Sequence, residues 1–255
     1  MTELPFSNER TIEYPITRLH RWGARKFRRL VAWCARHHID PNWFTYLGLG
    51  CALGMCVSLW HGWWFAALLC IGLNGLSDVI DGELARATAD KRAHWLNEYG
   101  VLLDPKVDRV NDIAAFIGLW LYAEAIGLPL WFQALIVVSG ALHPVSSFIR
   151  AKYESLPIFQ TRKIRFQEQK PLTRAAFMVF LAIVCCALWL AWGAPHLMIW
   201  AGIYRQSPYD IASVQYWIFV LGVLGLVCAP TLFNFFRRWH RSRTIFRSQG
   251  ITPPG

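Results

Sequence analysis

Six stretches of this chain are apolar over the length of a membrane crossing, and nothing else in it limits the possible folds as much. A hydrocarbon layer about 30 Å thick takes about 20 residues of helix to cross. Windows of that size occur at Trp43–Trp60, Trp63–Ile80, Gly100–Ala123, Pro129–Ile149, Arg174–Trp192 and Ile211–Phe236. The expected fold class is all-α: a polytopic membrane protein with six transmembrane helices and an N-terminal amphipathic interfacial helix. Three segments follow: an arm over residues 1–40, a six-helix membrane domain over 41–238, and a basic tail over 239–255 that reads as disordered.

The formal net charge of +10 would suit a nucleic-acid partner, but membrane topology accounts for it. Basic residues concentrate in cytoplasmic loops. With both termini in the cytoplasm, 25 of the 26 Lys and Arg fall on that side, and Arg205 alone falls on the other. No nucleic-acid partner is expected. The stretch Ile16–Cys34 interleaves Arg18, Arg21, Arg25, Lys26, Arg28 and Arg29 with Leu19, Trp22, Phe27, Leu30 and Trp33. It reads as a basic amphipathic helix lying on an anionic membrane surface, with a solvated basic arm as the alternative. Met1–Arg10 has no apolar core of the signal-peptide type, so the first hydrophobic helix is expected to insert the protein. The seven cysteines lie mostly in apolar stretches without C-x-x-C spacing and read as reduced filler. The eight scattered histidines do not make a metal site.

Carboxylates carry the functional signal. At the end of the second window, Asp78, Asp81, Gly82, Ala85 and Arg86 follow an i, i+3, i+4, i+7, i+8 rhythm and share one helix face. Gly100, Asp104 and Asp108 open the third window as a second single-faced row. One helix descends to the cytoplasm and the next rises from it, so the two rows can face each other at the inner boundary. Four converging carboxylates at reduced dielectric must be protonated, paired with bases or neutralised by cations. All-oxygen ligation favours Mg²⁺, Mn²⁺ or Ca²⁺, and four acids could hold two such ions. A two-ion clamp is the usual device for phosphoryl and nucleotidyl displacement. Gly82, Ala85 and Gly100 leave room for a bulky ligand near the backbone, though ordinary close helix packing also uses small residues.

The pattern D-x-x-D-G-x-x-A-R followed by G-x-x-x-D-x-x-x-D, met here by Asp78, Asp81, Gly82, Ala85, Arg86, Gly100, Asp104 and Asp108, resembles that of the CDP-alcohol phosphatidyltransferases. Pro41, Asn42 and Thr45 resemble the P-N-x-x-T that opens the first span of many members. The 13 residues between Arg86 and Gly100 exceed the family's usual spacing. The resemblance implies six helices, a homodimer in a bacterial-type inner membrane, and an active site on the cytoplasmic side. It also implies transfer of a phosphatidyl group from CDP-diacylglycerol to an alcohol, with CMP released. Asp78, Asp81 and Asp104 would ligate two divalent cations, Mg²⁺ or Mn²⁺, and Asp108 would complete the metal site and act as general base. Gly82, Ala85 and Gly100 would accommodate the nucleotide. Arg86, Asn42 and Thr45 are candidates for donor contacts, and for the last two an N-terminal capping role is equally open.

Ser146 to Glu154 is similar to the S-Y-x-R-A-R-x-E stretch of members that use phosphorylated acceptors such as glycerol 3-phosphate or inositol phosphate. Arg150 and Lys152 would then bind the acceptor, aided by Arg162, Lys163 and Arg165. For those loop residues positive-inside bias is the better explanation. A non-phosphorylated alcohol stays open, since Lys106 could pair with Glu98 or Asp112. The competing class is an ion- or proton-coupled transporter using Asp78, Asp104, Asp108 and Asp112. Against it, the acids sit near helix ends and the spans show no inverted repeat.

Overall fold

The computed structural model describes residues 27–89, 94–155, 174–200 and 208–248. These form seven helices and no strand: α1 (Arg28–Arg36), α2 (Asn42–Trp60), α3 (Trp64–Thr88), α4 (His94–Ala125), α5 (Leu130–Glu154), α6 (Arg174–Trp200) and α7. Helix α7 starts as Pro208–Gly222, passes through a π-helical stretch at Val223–Cys228, and continues as Ala229–Ser248.

Five of the seven are long and apolar enough to cross a membrane, so this is a multi-pass membrane protein. Helix α4 has the length, 32 residues, but its middle carries Asp104, Lys106, Asp108, Arg109 and Asp112. Leu47, Leu53, Leu69, Val137, Ile183 and Leu221 point outward; such a surface is stable against lipid tails and not against water. Exposed Trp43 and Trp60 mark the two ends of α2, as interfacial tryptophans do.

Helices α2 to α7 close into a ring. Helix α2 packs on α3 and α4, α3 on α6, α6 on α7, α7 on α5, and α5 back on α4. Inside it, Met55, Leu59, Phe116, Leu119, Phe132 and Phe219 belong to one buried cluster. At one end of the ring the turns are tight because glycine adopts the left-handed backbone, at Gly62 (φ 68°) after α2 and Gly127 (φ 70°) after α4. Asp40 Oδ1 starts α2 at the opposite end by accepting from the Asn42 backbone N–H at 2.8 Å.

Two terminal features depart from the sequence reading. Helix α1 extends to Arg36, two residues beyond the expected end, and packs Val31 and Cys34 against Ile80 and Leu84 of α3 while Leu30 and Trp33 stay exposed. Burial pushes the Cys34 thiol up from its usual range. The upstream part of the expected amphipathic helix lies outside the described residues. At the other terminus, α7 runs on to Ser248, so much of the tail expected to be disordered is helical. Neither Gly nor Pro interrupts it between Pro230 and Gly250. All seven cysteines are free, with Cys34, Cys185 and Cys228 buried and the rest half-buried.

Candidate active site

The ends of three helices meet where the spacing of the acidic rows predicts. Thr45, buried on the first turn of α2, donates from Oγ1 to Asp81 Oδ2 on α3 at 2.9 Å. Farther into the ring, buried Asn74 donates to the Gly48 carbonyl at 3.0 Å, tying α3 to α2 again. Thr45 is therefore not a helix cap, because its hydroxyl is committed across the interface.

Asp78 of α3 and Asp104 and Asp108 of α4 present carboxylate oxygens that all lie within 4.8 Å of one another. At an effective dielectric of 20, each pair of unit charges at that distance repels by about 3 kcal/mol. Such a group calls for a cation, and an all-oxygen donor set fits a hard divalent one. Asp81 stands slightly apart, with Oδ2 held by Thr45. A void of about 10 Å³, of the order of one water molecule, is lined by all four aspartates together with Ser77 and Asn111.

Beside it opens a cavity of about 410 Å³, within the range of small-molecule sites. Asn42, Thr45, Asp81, Gly82, Ala85, Arg86, Gly100 and Asp104 line it. These include every residue expected to contact the donor. A Cβ at position 100 would stand 3.4 Å from Asn42 Oδ1, an ordinary contact distance. Arg86 is not poised toward the cavity alone: its guanidinium donates to Glu83 Oε1 at 2.7 Å, and its side chain is 64% exposed.

Of the acceptor residues expected from the sequence, only the Lys152 side chain is among those described. Lys152 is exposed near the end of α5, the Arg150 side chain lies outside those described, and Arg162, Lys163 and Arg165 lie outside the described residues altogether. Of the two partners open to Lys106, the Glu98 side chain lies outside those described, and Asp112 is met by other residues. Asp112 is fully buried, with Arg109 Nη1 at 3.3 Å and His143 Nε2 of α5 at 3.4 Å.

Sequence reasoning also misses Arg238, which is buried on α7 and donates from Nη1 to the Ser146 carbonyl at 2.9 Å and to Ser146 Oγ at 3.1 Å. A usable signal exists: Thr231, Asn234 and Arg238 fall at helical spacing at the end of a run that is apolar and aromatic up to Phe236. All three are buried.

Residues 38–228 match the family model for CDP-alcohol phosphatidyltransferase. The chain belongs to that family. Among its relatives, a phosphatidylinositol phosphate synthase of Cutibacterium acnes is 30% identical over 124 residues, 48% of this chain and 58% of that protein. A CMP-forming cardiolipin synthase of Streptomyces coelicolor is 37% identical over 81 residues, 32% of this chain and 33% of that protein. The matched stretches thus span less than two thirds of these relatives. Among solved structures, Mycobacterium tuberculosis phosphatidylinositol phosphate synthase with CDP-DAG bound superposes with a TM-score of 0.52 at 18% identity, covering 89% of this chain and 94% of that one. The same enzyme in complex with manganese and citrate gives a TM-score of 0.50 at 18% identity, covering 82% and 88%. The fold is shared with these phosphatidyltransferases, and the cavity at the helix ends is not the mid-bundle ion site of a transporter.

Proposed function

We propose that this family member transfers a phosphatidyl group from CDP-diacylglycerol to an alcohol and releases CMP. The observation that carries the reading is the trio Asp78, Asp104 and Asp108 at mutual distances within 4.8 Å, next to a 410 Å³ cavity with small residues on its wall. Asp78, Asp81, Asp104 and Asp108 would hold two divalent cations, Mg²⁺ or Mn²⁺; the manganese in the M. tuberculosis structure supports that choice. When bound, the cations neutralise the donor diphosphate and ease departure of CMP.

The protein's own groups do the rest. Gly82, Ala85 and Gly100 let the nucleotide approach the backbone, Asn42 and Arg86 meet it from the cavity wall, and Thr45 keeps Asp81 oriented. Asp108 accepts the proton of the acceptor hydroxyl as that oxygen attacks the phosphatidyl phosphorus. The bond from phosphorus to the CMP oxygen breaks, and the proton is later lost from Asp108 to solvent. The reading includes α4 as a sixth span, both termini and the site at the cytoplasmic face of a bacterial-type inner membrane, and a homodimer. The basic loops and the positive-inside rule support that orientation.

The acceptor is proposed to be a phosphorylated alcohol such as inositol phosphate or glycerol 3-phosphate, bound by Arg150 and Lys152. The two named relatives carry different activities, so their likeness does not select one alcohol. Labelled CMP release from CDP-diacylglycerol, with phosphorylated acceptors compared against serine and with or without Mn²⁺, tests the reading. Phosphorylated acceptors should drive release, and chelation should abolish it. Release with serine alone, or release that ignores chelation, overturns it. Arg150→Ala should raise the acceptor KM far more than the donor KM; an unchanged acceptor KM removes Arg150 from the site.

A further inference from the structure

The buried contact between Asp112 and His143 has no part in the scheme above, yet a carboxylate with no exposed surface inside a membrane helix is costly and calls for a reason. It lies one turn beyond Asp108, about 6 Å along α4. Between Asp104 and Asp108 that helix contains Pro105. A proline inside a helix removes one backbone hydrogen bond and crowds the preceding turn, so the turn bearing the cluster is the least self-supporting part of α4. Support must come from the next turn.

The surroundings of Asp112 provide it. Across the interface, Gly140 of α5 meets Phe116: a Cβ on Gly140 would lie 2.8 Å from the Phe116 Cβ. Phe116 is one turn after Asp112, and Gly140 is three residues before His143, as an antiparallel register between α4 and α5 requires. The His143 ring sits 6.0 Å from Phe116 and 4.8 Å from Phe177 of α6, centroid to centroid, and those two phenyl rings stack at 5.1 Å. The imidazole is thus held by its neighbours, and its Nε2 approaches Asp112 Oδ2 to 3.4 Å without the geometry of a hydrogen bond. Arg109 holds the same carboxylate oxygen from the α4 side.

We infer that His143 and Asp112 form a positioning pair that fixes the rotation and depth of α4, and through it the places of Asp104 and Asp108 in the metal cluster. A rotation of α4 by 20° would carry side-chain ends about 5 Å from its axis through nearly 2 Å, well outside the roughly 0.5 Å tolerance of a working site. The inference rests on the metal-dependent reading proposed above.

Direct Mn²⁺ binding to the detergent-solubilised full chain, together with steady-state CMP release, tests it in Asp112→Asn, His143→Leu and His143→Gln. Asp112→Asn and His143→Leu should weaken Mn²⁺ binding about tenfold or more and lower kcat by up to about 100-fold, with the donor KM little changed. His143→Gln, which keeps a polar end facing Asp112 at similar reach, should recover most of both. Three results overturn the pair: Mn²⁺ affinity and kcat at wild-type values per folded molecule, Gln no better than Leu at position 143, or a fall in folded protein alone. If Asp112→Asn does not fold, the Leu and Gln variants decide. Asp108→Asn separates the two proposals: wild-type turnover there sinks the general base, while the Mn²⁺ measurements still judge Asp112 and His143.

Discussion

Asp108 and Asp112 stand one turn apart on the same helix, and their surroundings are opposite. Asp108 faces Asp78 and Asp104 around a small void, whereas Asp112 is sealed between Arg109 and His143. Like charges gathered beside open space gain by admitting a cation and a substrate, and this arrangement is unfavourable until they arrive. A carboxylate enclosed by basic groups is already served, and its contribution is to hold helices in register. The presence of an acid in a membrane helix therefore says little by itself; what decides its use is whether its neighbours repel it or answer it. Arg238, buried and donating twice to Ser146, belongs with Asp112 in this respect.

The contrast can be broken most directly at the open turn. Asp108→Asn should lower CMP release by at least about 100-fold, with the protein still folded in the membrane; turnover like wild type would leave the two turns functionally alike. On the enclosed side, Arg238→Met should remove about 2 kcal/mol of stability, since hydrogen bonds from a charged donor are lost while volume is kept. A thermal melt in detergent reads this, and an unshifted Tm would mean the Ser146 contacts are not structural. Thr45→Val probes the border between the regions. Loss of its bond to Asp81 should slow CMP release about fivefold, equivalent to about 1 kcal/mol, and an unchanged rate would show that Asp81 needs no orienting group. The smallest effect is expected at Glu83→Gln, where an exposed ion pair with Arg86 contributes under about 0.5 kcal/mol. A larger Tm shift would mean that the pair does more than sit at the cavity rim.

Part of this arrangement is legible in the order of residues. The acidic faces of α3 and α4 follow from spacing, because positions four apart on a helix must stack whatever surrounds them. The cavity-lining set of Gly82, Ala85, Arg86 and Gly100 comes from the same two rows. Thr45 stands out in the sequence, but its partner does not: Asp81 lies 36 residues away, and nothing local links them. Lys106 reads as a partner for Asp112 because both lie on one helix, yet the structure gives that place to Arg109 and to His143 on another helix. Charge and final prolines make the tail read as disordered, but a long helix entering it with no breaker until Gly250 carries on to Ser248.

The sequence by itself determined that this chain is helical and membrane-embedded, which faces of its helices carry acid, and which family it joins. All of these depend on composition and on the fixed geometry of a single helix. Only the tertiary structure decided which carboxylates converge, that Thr45 reaches Asp81, and that Asp112 is closed off by His143. Those outcomes depend on how far each helix is rotated and slid against its neighbours. Rotation and register are set by the fit of side chains such as Phe116 against Gly140, from segments far apart in the chain.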